Sequence, residues 1–240
     1  MAKRIQFLSI AGFLIFASVG FAQYTMDLTG VGNGSNADGV YVSPYQGSIW
    51  AGAYNGGNAP TTTPLYSGYV ICDDFADDSY VGDVWDASAT NAGALNGSEL
   101  FTTSSSGYSV QDNYDAVAWL ANQLLLPSNV NNSTAQTNIS FAIWDLMDGQ
   151  KTDPLNTGAV ASLISQAFTE VVTDNYVGSN VTVYTPSPRQ PQGLNVSQEF
   201  LVVNGPSVST PEPGAAALLG FDLLSVLAVL FLLRRYRVRA

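Results

Sequence analysis

At 240 residues the chain can hold one domain with a sizeable core or two small ones, and 8 Lys and Arg against 19 Asp and Glu make it acidic. One cysteine and no histidine exclude an internal disulfide, His-ligated zinc, histidine acid–base chemistry and a Ser-His-Asp triad. Between residues 23 and 208 only Lys151 and Arg189 stand against seventeen acids, a formal charge of −15 that repels phosphate backbones and argues against a nucleic-acid partner.

The chain opens with Lys3 and Arg4, followed by a mostly apolar run from Ile5 to Phe21. Gly20 and Ala22 place small residues at the −3 and −1 positions of a cleavage site. Residues 1–22 therefore read as an export signal peptide, with a mature start near Gln23; a retained N-terminal anchor is the alternative. Residues 23–208 form the exported body.

Residues 24–60 are rich in Gly, Asn, Ser and Tyr. Val40-Tyr41-Val42 and Ile49-Trp50 read as short strands among exposed loops, and no phosphate-loop spacing appears among the glycines. From Leu65 to Trp85 two strands are expected, joined by an acidic connection from Asp73 to Asp78. Residues 86–111 return to Gly, Ser, Thr and Asn and read as loop.

The period then changes. Tyr114, Val117, Ala118, Ala121, Leu124 and Leu125 fall on one helical face, with Asp112 as N-cap and Pro127 as terminator. Ser133 and Gln136 stand at capping-box spacing before a second helix with Ala135, Ile139, Ala142, Ile143 and Leu146 on one face; Gly149 stops it. A third helix, capped by Asn156, carries Val160, Leu163, Ile164, Ala167, Phe168 and Val171. Strands at 181–184 and 200–203 close the body, with Pro186, Pro188 and Pro191 marking a loop between them. The expected fold class is α+β with segregated layers: a strand-rich N-terminal half, about three helices within 112–173, then C-terminal strands.

Three patterns in the body stand in a telling order: Val70-Ile71-Cys72-Asp73, Tyr114 to Trp119, and Ile139 to Trp144. Over roughly residues 65–150 they resemble the thioester domain of bacterial surface adhesins. The resemblance places Cys72 at the thioester cysteine and Trp119, Ala142 and Trp144 at motif positions. The two motif glutamines are replaced, the first by Asp115 and the second, which would supply the thioester carbonyl, by Ser140. The implied body is a thioester-domain-like scaffold without its covalent link, unless Gln136 or Gln123 is recruited. Read as residues alone, Trp119 and Trp144 are core aromatics on two packed helices and Cys72 is a small buried apolar residue.

Asp73, Asp74, Asp77, Asp78, Asp83 and Asp86 crowd one stretch. Asp73, Asp74, Asp77 and Asp78 are candidate calcium ligands for an adhesin-like binding module built on the 73–86 loop, although the spacing is not that of an EF-hand. A solvated acidic loop accounts for the same residues. A carboxylate pair such as Asp73 and Asp145 would suit a glycosidase, but nothing fixes their separation. The body is read as non-enzymatic and without a required cofactor.

The tail, residues 209–240, has three parts. Pro211-Glu212-Pro213 ends any upstream element. Residues 215–233 are mostly apolar, and as a helix would span roughly 28 Å, enough for one C-terminal transmembrane pass, with Asp222 inside it. Arg234, Arg235, Arg237 and Arg239 then form a cytoplasmic stop that leaves the body outside. This order resembles the PEP-CTERM sorting signal. The resemblance implies a bacterial envelope protein, processed by an exosortase at the membrane and displayed at the surface or released into an exopolysaccharide or biofilm matrix. An unprocessed C-terminal anchor is the alternative.

Overall fold

Alternation along the strands sets the architecture. The computed structural model describes residues 23–206 except 33–35, 38, 55, 57–58, 105–106, 150–157 and 189–196. Residues 1–22, read above as a signal peptide, Lys151, Asn156, Arg189, Pro191 and the tail 209–240 lie outside the described residues. Among the described residues the strands are β1 (Gln23–Gly30), β2 (Asn36–Ala37), β3 (Val40–Tyr41), β4 (Tyr45–Ala51), β5 (Tyr66–Cys72), β6 (Val84–Asn91), β7 (Val181–Pro186) and β8 (Phe200–Val203). Three helices, α1 (Val110–Leu124), α2 (Ser133–Met147) and α3 (Gly158–Val172), stand between β6 and β7.

Six strands close into a barrel in the order β1-β4-β5-β8-β7-β6, with β6 pairing back onto β1 and every neighbour antiparallel. Strands β2 and β3 form a separate two-stranded sheet. Closure removes the unpaired strand edges that an open sheet would present.

Because successive residues point to opposite faces, β5, β7 and β8 each feed two cores. Met26, Ile49, Val70, Trp85, Phe200 and Val202 are among those filling the barrel, where Trp85 and Tyr45 meet Phe200 at 5.8 and 6.1 Å between ring centres. Ile71, Val181, Val183, Leu201 and Val203 face the other way and join the helix core with Val117, Ala121, Ile143 and Ala167. Strand β8, Phe-Leu-Val-Val, is buried at all four positions. Helix α1 lies against β8 and meets both other helices.

The α+β expectation of segregated layers is thus corrected. Strands from both ends of the body share one barrel, and the helices form a single inserted layer on its outside. Alternation reports which residues are buried but not that a sheet closes on itself. The expected membrane-spanning helix is also withdrawn from the fold class: among the described residues no helix is long and apolar enough to cross a membrane, and residues 215–233 lie outside them. Strand β1 lies in the stretch read as short strands among loops, and residues 86–91 of β6 in the stretch read as loop. Their small and polar residues, such as Ala87 and Ala89, lie in the barrel opposite large aromatics and carry little β signal of their own.

Helix boundaries move for local reasons. Ser109, not Asp112, caps α1: its hydroxyl accepts the Asp112 N–H at 3.0 Å, and Asp112 accepts the Ser109 N–H at 3.0 Å in return. Asn132 caps α2 by accepting the Ala135 N–H at 3.2 Å, while Gln136 donates its amide to the Val130 carbonyl instead of closing a capping box. Near Gly178 the loop before β7 comes so close to α1 that an added Cβ would sit 2.6 Å from Ala118 Cβ, which only glycine allows.

Candidate functional site at the barrel–helix seam

Three consecutive residues at the end of β5 diverge. Cys72 belongs to the barrel core, whereas Asp73 and Asp74 are buried beyond it. Backbone and side-chain bonds tie this point to both layers. The Cys72 N–H donates to Ser43 Oγ at 3.1 Å, and the Ser43 N–H donates to Ser140 Oγ of α2 at 3.1 Å. Trp144, one turn along α2, donates its indole N–H to the Cys72 carbonyl at 3.1 Å. Trp144 also meets Phe75 and Phe141 at 4.9 and 5.0 Å between ring centres. The structure therefore brings Cys72, Ser140 and Trp144 into one connected group, with Ser43 as the link that sequence reading missed.

The chemistry of that group is closed. The Cys72 thiol is fully buried and donates to the Asp74 carbonyl at 3.0 Å. Burial, with the Asp74 and Asp73 carboxyls beside it, holds its pKa well above the usual thiol range, so little thiolate is present to act as nucleophile. The Gln136 amide is engaged by the Val130 carbonyl at 2.5 Å. Asp115, at the other replaced glutamine, accepts the Gly178 N–H at 2.7 Å and the Gln111 amide at 3.0 Å. It fastens α1 to the loop before β7. Burial raises its pKa, and those two bonds oppose the rise. Trp119 is half-buried at the margin of the helix core.

Native protein is expected to leave Cys72 unlabelled by a small thiol alkylator, whereas urea-unfolded protein takes up one label per chain. Intact mass after timed exposure measures both. Labelling of the native protein at the unfolded rate would show that the thiol is accessible.

The candidate cation ligands fall in different surroundings. Asp73 points into the seam; Asp74 accepts the Ala76 N–H at 3.1 Å within its own loop; Asp77 is buried, and Asp78 is exposed. Among the described residues no group of three or more His, Cys, Asp or Glu is disposed to hold a metal ion. Asp145, half-buried on α2, was the other member of the considered glycosidase pair, and Asp73 is sealed from solvent.

The seam itself holds a second, wholly buried network centred on Glu199, just before β8. Glu199 accepts the Tyr114 hydroxyl of α1 at 2.6 Å, the Leu100 N–H at 2.8 Å and the Thr185 hydroxyl of β7. Tyr114 in turn accepts the Phe101 N–H at 3.3 Å. The Asp73 N–H donates to the Glu199 carbonyl at 3.4 Å, one step beyond the Cys72–Phe200 pair, so the two side chains stand opposite each other on neighbouring strands, and neither Asp73 oxygen receives a donor. Nothing in the composition singled out Glu199. The available signal was its place directly before an unbroken apolar strand, where a carboxylate has to be buried.

No family model and no curated protein matches this chain. Among solved structures it is distantly similar to bacterial surface-protein domains. The N-terminal thioester domain of a surface protein from Clostridium perfringens aligns at 11% identity with a TM-score of 0.39, covering 76% of this chain and 98% of that one. The N-terminal domain of the Streptococcus pyogenes pilus tip adhesin Cpa aligns at 13% identity and a TM-score of 0.36, over 79% and 97% of the two chains. The thioester domain of the fibronectin-binding protein SfbI from Streptococcus pyogenes aligns at 11% identity and 0.37, over 78% and 94%.

Proposed function

We propose that this is an exported, non-enzymatic protein of the bacterial envelope, with a barrel-and-helix body that serves as a scaffold or adhesin-like module. The observation that carries this reading is the pairing of the two chain ends. A signal-peptide pattern over residues 1–22 precedes an acidic body, and Pro211-Glu212-Pro213, an apolar run and four arginines come after it. On this reading an exosortase at the membrane recognises Pro211, Glu212 and Pro213 and removes the apolar run and arginine cluster, with Arg234, Arg235, Arg237 and Arg239 holding the tail on the cytoplasmic side until cleavage. The body then reaches the cell surface or an exopolysaccharide matrix. The buried thiol and sealed carboxylates of the seam support a scaffold rather than an enzyme, because a catalytic group has to reach its substrate.

Intact mass of the protein from the native host's envelope and medium tests this directly. The expected species starts near Gln23 and ends at the Pro-Glu-Pro region. A Glu212→Ala variant is expected to keep its tail. Wild-type protein recovered with residues 214–240 attached would refute processing, and retention of residues 1–22 would refute the signal peptide.

A further inference from the structure

Two carboxyl groups are natural acceptors, and when they face each other in a dry interior something must stand between them. Asp73 and Glu199 are both completely buried. The described residues contain no Lys, Arg or His, so they offer no cationic side chain to either group. They also contain no arrangement of three or more acidic, cysteine or histidine side chains fit for a metal ion. Each isolated buried carboxylate would carry a large desolvation penalty.

The surroundings distinguish the two. Glu199 receives three donors: Tyr114, Leu100 and Thr185. Donors of that kind stabilise an ionised carboxylate. Asp73 receives none. The titratable groups facing it are Glu199 at the entry to β8, Asp74 on its own loop, Asp148 at the end of α2, Tyr114 on α1, and the neighbouring Cys72 thiol. None of these is cationic.

We propose that Asp73 is held as the neutral acid and donates its proton to the Glu199 carboxylate, a one-proton clasp that joins β5 to the entry of β8 beneath α1. The proton turns the meeting of two acceptors into a hydrogen bond and leaves a single charge, which the three donors on Glu199 solvate. Burial pushes both carboxyl pKa values up, that of Asp73 well above the carboxylate range, while the donors on Glu199 oppose its rise.

The consequence is a stability that depends on pH. In the unfolded chain Asp73 titrates near the ordinary value of about 3.9; in the fold its pKa is higher. Between those two values the native state binds the extra proton. The stability this pair contributes is therefore complete at and below the unfolded pKa and declines as pH rises toward the folded value, because unfolding then releases a proton. Above the folded pKa the seam must hold two carboxylates and no further loss accrues from this pair.

The test compares the full chain with its Asp73→Asn variant. Asparagine keeps the shape and offers Glu199 an N–H that needs no added proton. The wild-type melting midpoint is expected to fall as pH rises from about 5 to about 9, with a slope corresponding to about one proton released on unfolding. The variant should lose that component and melt higher than wild type at the alkaline end. Equal slopes in the two proteins would overturn the clasp. Two measurements on wild type alone decide the matter if the variant does not fold. Infrared spectra at neutral pH should show a protonated-carboxyl C=O stretch that shifts when aspartate is isotopically labelled and disappears on unfolding. Calorimetric unfolding in buffers of different ionisation enthalpy should report release of about one proton per chain. Absence of the protonated stretch, or unfolding with no proton released, would refute the proposal.

Discussion

Trp144→Ala is expected to cost about 3–5 kcal/mol of stability, the range for deleting a large buried aromatic. Trp144 is 3% exposed and is the central ring of a three-ring group with Phe75 and Phe141. It also supplies the one indole bond that ties α2 to the Cys72 carbonyl on β5. Truncation therefore opens a cavity and leaves a buried carbonyl without its donor. Two controls separate these effects. Trp144→Phe keeps much of the ring packing and loses the hydrogen bond, with an expected cost of about 1–2 kcal/mol for that bond. Trp119→Ala, on a half-buried side chain, should cost less than Trp144→Ala. Urea midpoints with unchanged m-values would measure all three. If Trp144→Ala cost no more than Trp119→Ala, the packing of α2 on β5 would not be what holds the helical layer to the barrel.

Glu199→Leu is expected to be of similar size, about 3–5 kcal/mol, for the opposite reason: the volume is kept and the acceptor is lost. The Tyr114 hydroxyl, the Leu100 N–H and the Thr185 hydroxyl would be left facing leucine in a water-free interior. Each stranded donor costs about 1–3 kcal/mol, partly offset by removal of a buried charge. Against a typical domain stability of about 5–15 kcal/mol this is a large fraction. A Tyr114→Phe variant removes one of the three donors and should lose only about 1–2 kcal/mol. Because the side chains share one network, Glu199→Leu and Tyr114→Phe combined should fall well short of the sum of the two. Additive losses would mean that Glu199 and Tyr114 act independently and that the network is not a unit.

The contrast between these two sites shows where sequence reading succeeds. Trp144 was legible because helices advertise themselves locally. Tyr114, Val117, Ala118, Ala121 and Leu124 recur at the helical period, and all five are fully buried on α1. Ile139, Ala142, Ile143 and Leu146 do the same on α2. The motif positions Cys72, Ser140 and Trp144 could be singled out in order along the chain, and the structure brings all three together. Their roles changed on the way: Ser140 anchors Ser43, and Asp115 anchors Gly178.

Glu199 was not legible because its significance is non-local. One acidic residue among seventeen in the body carries no mark of its partners. Those partners come from β7, α1, β5 and the segment at Leu100. The acidic stretch at 73–78 divides for a related reason: Asp73, Asp74 and Asp77 are buried while Asp78 is exposed, because adjacent residues at a strand end point in different directions.

Composition determined by itself that no internal disulfide or histidine chemistry could operate in the body, and periodicity determined where its helices lie and which of their faces are buried. Both properties belong to single residues or to neighbours within a few positions, so the linear order carries them. Only the tertiary structure decided that six strands from both ends of the body close into a barrel, that Cys72 falls inside it, and that Asp73 meets Glu199 under α1. Those facts depend on strand pairing and register between distant segments. A two-residue repeat says which face of a strand is buried, but it does not say which strand lies beside it.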